Sequence, residues 1–296
     1  MMESRKEILG ILLVLVIGVG FAMSNTLAGV AYTGGTDALT VSTARFFLPA
    51  GILLIILLVS GKKVLMPSRD GIIAAVLGVI TVGYTWALLS AIELLPVPLA
   101  VLVFYLFPVF TTFIVAALGW ERLLRINIIA AFVAFAGLAL ALGISGQGLN
   151  LLGVFYAAIA ALGLAVVSAV SGRVIRSGDP RQATLYMATT AALTFVAITI
   201  FFGEFRLPTT ETGWWGFIGS NLVYAGAMIG YFVAISMIGP GKTTLYSNIE
   251  PLIAIGAAFL LLGQVLSPLQ ILGVFVVVGA LSLAARASLK STNGER

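Results

Sequence analysis

Two charged side chains stand inside long apolar runs: Arg45, in Ala44-Arg45-Phe46, and Glu250, in Ile249-Glu250-Pro251. An ionisable group in hydrocarbon is rare and costly, so each is a functional candidate by default. Their runs are 38–60 and 242–261, and each charge lies about eight residues in, from opposite ends. At 1.5 Å per residue each is roughly 12 Å deep. In a core of about 30 Å the two depths then differ by only about 6 Å. Geometry therefore allows a pair, direct or bridged by water. Glu250 suits a protonatable site coupled to transport, or a partner for an ammonium group. A second reading stays open for both residues. Pro251 lacks an N–H and frees a carbonyl one turn back, and a helix break of that kind needs polar repair.

Around these charges the uncharged polar set is richer. The candidates for binding a small molecule are Asn25, Tyr84, Trp86, Tyr105, Tyr224, Tyr246 and Asn248. Aromatic faces stack on aromatic or cationic groups, and their polar edges bond. Pro108 and Pro251 sit one turn from several of them and are candidate hinges. The competing reading is ordinary hydrogen bonding between helices. Glu93 and Lys242, near span ends, reach the interface, and Glu121 and Arg122 read as interfacial anchors.

The chemistry that is missing matters as much. With 0 His and 0 Cys, the chain lacks the commonest metal ligand, the usual general base and any thiol. A nucleophile–base constellation cannot be assembled, so an enzyme is not expected. No P-loop or dinucleotide fingerprint occurs, so no cofactor is expected.

These side chains must be positioned by helices in lipid. The chain is 60% hydrophobic and 9% charged, whereas soluble domains carry about 25% charged residues. Breaks at charges, Gly and Pro delimit ten apolar stretches of spanning length: 8–30, 38–60, 70–93, 97–118, 125–143, 150–172, 181–203, 213–237, 242–261 and 267–286. The runs are continuous and too long for barrel strands. The first is too long for a signal h-region and reads as a retained span. With the N-terminus in the cytoplasm, 14 of the 16 Lys and Arg residues fall on the cytoplasmic side, Arg206 alone outside and Arg45 within a span. The expected location is the inner (plasma) membrane, multi-pass, both termini cytoplasmic. The net charge of +5 is thereby topology, not a nucleic-acid signal.

The chain also repeats itself. Pro108 and Pro251 are 251 − 108 = 143 residues apart, and the same shift takes Gly10 to Gly153, Gly20 to Gly163, Gly29 to Gly172, Gly83 to Gly226 and Phe132-Val133 to Phe275-Val276. Each copy holds five spans. Five is odd, so the second copy enters the membrane from the other side. The expected fold is all-α and integral to the membrane, ten transmembrane helices as two inverted five-helix repeats, 1–143 and 144–296. The symmetry fails where Phe107 meets Glu250 and where Arg45 meets Ala188. Small residues, Gly137 and Ala141 in span 5 and Gly279 in span 10, predict close packing of those spans, serving the fold or a homodimer.

The ordered segments Ala22-Met23-Ser24-Asn25, Ala44-Arg45-Phe46, Leu106-Phe107-Pro108-Val109-Phe110, Leu118-Gly119-Trp120-Glu121-Arg122, Ile249-Glu250-Pro251 and Leu261-Leu262-Gly263-Gln264 resemble the EamA-type members of the drug/metabolite transporter superfamily. The chain departs from that pattern at Phe21, where Trp is common, and at Gln264, where Glu is usual. The resemblance implies a secondary exporter of small amphipathic metabolites, amino acids foremost and aromatic ones among them, working by alternating access between the repeats. Three other readings stay open. A nucleotide-sugar or phosphate-ester carrier on the same plan would want several buried cations, and only Arg45 is deep. A membrane-embedded enzyme lacks its constellation. A non-transporting membrane protein would usually carry a larger soluble part. The expected partners are a small-molecule substrate, the bilayer and a coupled proton.

Overall fold

The computed structural model describes residues 2–120, 125–142, 150–177, 179–238, 243, 246, 247 and 249–294. They form twelve helices: α1 Met2–Thr33, α2 Ala38–Arg45, α3 Phe47–Val59, α4 Ser68–Leu94, α5 Val97–Phe104, α6 Phe107–Ala117, α7 Arg125–Leu142, α8 Leu151–Ser177, α9 Pro180–Phe202, α10 Glu211–Ile238, α11 Glu250–Leu262 and α12 Pro268–Gly294. No strand occurs among the described residues. Long apolar helices satisfy their own backbone, which lipid demands. Their outward faces are bare: Val59, Leu260 and Phe201 are 83%, 78% and 76% exposed. In water such a surface would drive association; in a bilayer it is the solvent contact.

Twelve helices make ten spans because some spans are broken. Span 2 is α2 plus α3, interrupted at Phe46, and span 4 is α5 plus α6, interrupted at Tyr105-Leu106. Pro108 and Pro251 each sit at the second position of a half-helix, α6 and α11. A missing N–H costs nothing in a first turn, while the ring blocks continuation backwards. The break in span 2 is a correction to the continuous run 38–60. Pro49, in the first turn of α3, accounts for it. Helix ends overrun the apolar limits, as α12 does by running to Gly294, because a helix need not stop where apolarity stops.

First-repeat helices pack mainly on second-repeat helices: α1 on α10 and α11, α4 on α8 and α9, α3 on α9, α7 on α12. The halves are interleaved. The α1·α10 and α8·α4 contacts are one contact under the 143 shift. At its centre, a Cβ on Gly20 would meet Ala227 at 3.1 Å, and one on Gly163 would meet Tyr84 at 2.6 Å. Ala227 is Tyr84 moved by 143, so inverted symmetry is visible at single residues. The limit between the repeats, 143/144, lies outside the described residues.

Spans 5 and 10 do pack closely, through Gly137 and Ala141 against Gly273. Gly279, singled out from the sequence, has nothing within 4 Å of a Cβ built on it. The packing lies inside one chain, so it carries no argument for a dimer.

Connectors sort onto two faces. On the face of the chain ends, Gln182 donates to the Lys63 carbonyl and Met66 N–H to the Tyr186 hydroxyl at 3.3 Å. On the opposite face, Thr209 N–H bonds the Gly34 carbonyl at 2.8 Å, Arg206 lies 3.9 Å from Asp37, and Val97 N–H donates to Gln264 Oε1 at 3.0 Å.

Candidate functional site

Glu250 opens α11, and its side chain turns into the bundle, with the residue 4% exposed. The break at Ile249 makes this orientation available. Tyr105, at the matching break after α5, places its hydroxyl 2.6 Å from Glu250 Oε2. The same hydroxyl is 2.9 Å from the Ser247 carbonyl. On the other side Asn25 Nδ2 of α1 donates to Glu250 Oε1 at 3.3 Å. The carboxyl, on broken span 9, is thus held by α1 and by broken span 4.

The hydrogen count here is informative. A phenol has one proton to donate, and a backbone carbonyl only accepts. Tyr105 can satisfy both neighbours at once only if one of them supplies a proton, and Glu250 is the one that can. With Glu250 protonated, the chain runs from Glu250 through Tyr105 to the Ser247 carbonyl. With Glu250 ionised, Tyr105 must choose.

Arg45 ends α2 beside the break at Phe46 and is 1% exposed. Its Nη2 donates to Ser24 Oγ and Ser220 Oγ, each at 3.2 Å. Those serines join α1 to α10, each hydroxyl donating to the other's carbonyl at 2.9 Å. The guanidinium also lies 4.4 Å above the Tyr224 ring, a cation–π contact. Its Nε is buried and has no partner among the described residues.

The direct pair of Arg45 with Glu250 that geometry allows is not among the ion pairs of the described residues. The two bind instead to adjacent residues of α1, Ser24 and Asn25. A buried guanidinium and a buried carboxyl are thus tethered to neighbouring residues of one helix and not to each other.

The other candidates fall in different places. Tyr84 stacks on Phe104 at 6.4 Å, and Phe104, Tyr105 and Phe107 form an aromatic cluster at the break in span 4. Trp86 leans on Tyr156 at 5.5 Å and is 39% exposed on the outside of the bundle. Tyr246 lines a groove between α1, α11 and α12. Asn248 lies outside the described residues, as do Lys242, Glu121 and Arg122. Thr111 and Thr112 bond the carbonyls of Phe107 and Pro108, one turn back, at 2.8 and 2.9 Å. That use is local to the helix.

Sequence reasoning passed over Ser220 and Phe46. Ser220 is one of two serines in an apolar helix, and nothing in its spacing marks it. Phe46 stacks on Phe195 at 6.0 Å and meets Tyr224 edge-on at 5.7 Å. Its neighbour Arg45 was the available signal.

Ten spans in two interlocked inverted repeats, broken beside a buried carboxyl and a buried guanidinium, define a membrane transporter. The sequence profile of the EamA-like transporter family matches residues 8–143 and again 151–286. The second match starts and ends 151 − 8 = 286 − 143 = 143 residues after the first. The chain belongs to the EamA-like transporter family. It is also similar to the "Uncharacterized transporter YyaM" of Bacillus subtilis (strain 168), 25% identical over 272 residues, 85% of this chain and 86% of that protein. A solved structure described as "Crystal structure of protein" superposes with a TM-score of 0.69 over 94% of this chain and 98% of the other, at 21% identity. That likeness bears on the fold alone.

Proposed function

We propose that this transporter is a secondary carrier of amino acids, working as a proton-coupled exporter in the plasma membrane with both termini in the cytoplasm. The observation that carries the reading is the separation of Arg45 from Glu250. An amino acid brings one cation and one anion joined through a single carbon. Buried opposite charges that do not neutralise each other suit such a zwitterion, the ammonium going to Glu250 and the carboxylate to the open Nε of Arg45. A single deep cation does not suit a diphosphate.

Coupling follows from the hydrogen count. A substrate ammonium and a proton compete for Glu250, and arrival of either changes what Tyr105 can bond. Since Tyr105 ties the two broken spans, the exchange alters the contact about which the repeats rock. Export then draws on protons entering as substrate leaves.

The test is reconstitution in liposomes with a panel of labelled amino acids and nucleotide sugars, with and without an imposed pH gradient. The expected outcome is amino-acid transport accelerated by the gradient, and loss of that acceleration in Glu250→Gln at normal expression. Exchange of nucleotide sugars alone would overturn the reading. An unchanged gradient response in Glu250→Gln would remove the coupling.

A further inference from the structure

Away from the buried charges, one feature of the membrane-facing surface has a built-in chemical polarity. A groove of about 210 Å³ lies between span 9 and α12, with Leu15 of α1 as its floor. One wall is Tyr246, Ile249 and Leu252, three residues apart; the other is Val278, Ser282 and Arg286, four apart. Both spacings keep a set on one helical face. The two walls run antiparallel. Leu252 is 10 residues before the end of α11 and Val278 is 10 residues after the start of α12, so they share a level deep in the span. Arg286 is eight residues further along α12, about 12 Å nearer the face of the chain ends. Tyr246 descends the same way on the other wall.

The groove is therefore graded. Its deep end is Leu252, Val278 and Leu15; its shallow end is Arg286 and the tyrosine. Arg286 is exposed, and among the described residues no carboxylate pairs with it.

We infer that this groove binds an anionic phospholipid, its phosphate at Arg286 and one acyl chain along Ile249, Leu252 and Val278. An apolar slot capped by a guanidinium at headgroup depth matches an amphiphile with an acidic head, and basic pockets between spans select acidic lipids on this ground. A free anion would leave the apolar walls unused, and a zwitterionic lipid would set a cation of its own beside Arg286 along with its phosphate. The occupied slot lies against Ile249 and Leu252, which flank the Glu250-Pro251 break, but the inference rests on placement alone and is independent of the substrate.

The test uses the full chain, purified from nanodiscs holding equal phosphatidylglycerol and phosphatidylcholine, with retained lipid counted by native mass spectrometry. Wild type is expected to keep one phosphatidylglycerol in at least tenfold preference over phosphatidylcholine. Arg286→Ala and Arg286→Glu alter an exposed position and are expected to fold; both lose the preference, and Arg286→Lys keeps most of it. Val278→Trp fills the slot with Arg286 intact and loses the bound lipid, with Ser282→Phe as a second filler and gel filtration as the check on folding. Unchanged retention in Arg286→Glu overturns the site. Loss in Arg286→Ala but not in either filler places the lipid on the open surface and overturns the groove. If the fillers turn a dimer into a monomer with lipid counts unchanged, a second copy occupies the slot and the inference fails.

Discussion

At the scale of residues, the proposed amino-acid reading puts Arg45 and Glu250 on opposite ends of one substrate, and substitution separates them. Arg45→Gln removes the charge proposed to meet a carboxylate, so affinity for an amino acid is expected to fall about 10- to 150-fold, the equivalent of a charge-assisted hydrogen bond of about 1.5–3 kcal/mol. The corresponding amine, lacking the carboxylate, should lose little in that variant and much in Glu250→Gln. Competition of each compound against one labelled substrate makes the comparison. Tyr105→Phe leaves Glu250 with Asn25 alone and the Ser247 carbonyl without its donor. A net loss of about 1 kcal/mol is expected there, roughly a fivefold drop in transport that also flattens its pH dependence.

What could be read from the sequence at this scale was the identity of the deep charges and of Tyr105. Type and depth are enough for that, because hydrocarbon makes an ionised group conspicuous. Their partnership was not legible. Depth along the membrane normal says nothing of which residues two charges choose as partners, and both of these choose α1. Ser220 stayed hidden for a related reason: its role comes from Ser24, 196 residues away.

At the scale of elements, the broken spans carry the site. Phe107 and Glu250 occupy equivalent first-turn positions, one packed in an aromatic cluster and the other bonded to two helices. Pro251→Ala removes the ring that stops α11 from extending backwards. The half-helix should then join the segment before it and slow turnover several-fold, with little change in thermal stability, since Pro at that position forfeits no bond. Rates and melting temperatures in detergent separate the two effects. The repeat made Pro108 and Pro251 visible in the sequence, whereas the third break, at Phe46, has no counterpart in the other copy to draw attention to it.

Helix starts outside the membrane follow ordinary rules. Asp179 caps α9, accepting from Arg181 N–H at 3.0 Å. The hydrogen bonds from the Arg181 side chain hold its carboxyl below the ordinary carboxylate value. The cap's contribution is thus complete above the ordinary value and lost only as pH falls through the lowered one. Asp179→Ala is expected to cost about 1 kcal/mol at neutral pH, read as a lower melting temperature whose difference from wild type disappears in acid.

At the scale of the whole molecule, the fold rests on glycine contacts between inverted partners. A Cβ on Gly163 would come within 2.6 Å of Tyr84, so Gly163→Ala must push α8 off α4. A loss of about 1–3 kcal/mol is expected. Gly226→Ala, where nothing lies within 4 Å, should be neutral or slightly stabilising and serves as the control in the same melting experiment. Topology is equally open to test because the chain has 0 Cys. Single cysteines at Lys63 and Arg206 should react with a membrane-impermeant maleimide from opposite sides, Arg206→Cys in intact cells and Lys63→Cys only after lysis. The even number of spans and the inversion were legible from charge counting and the 143-residue shift. Which helix pairs with which was not, because every span offers the same oily exterior and only the small residues at the contacts decide.

The joint at Gly20 and Ala227 and its image at Gly163 and Tyr84 have one further consequence. In the alternating access proposed for the carrier, inverted halves trade shapes, and each joint takes on the geometry the other has just left. Were the two identical, the inward and outward forms would be of equal energy and the empty carrier would idle evenly between them. A methyl in one joint and a phenol in the other forbid that tie. An inequality of only about 1.4 kcal/mol leaves the empty carrier waiting on one side of the membrane ten times as often as on the other. The resting posture of such a carrier is then written in the mismatch of its two bearings, before any gradient or cargo arrives.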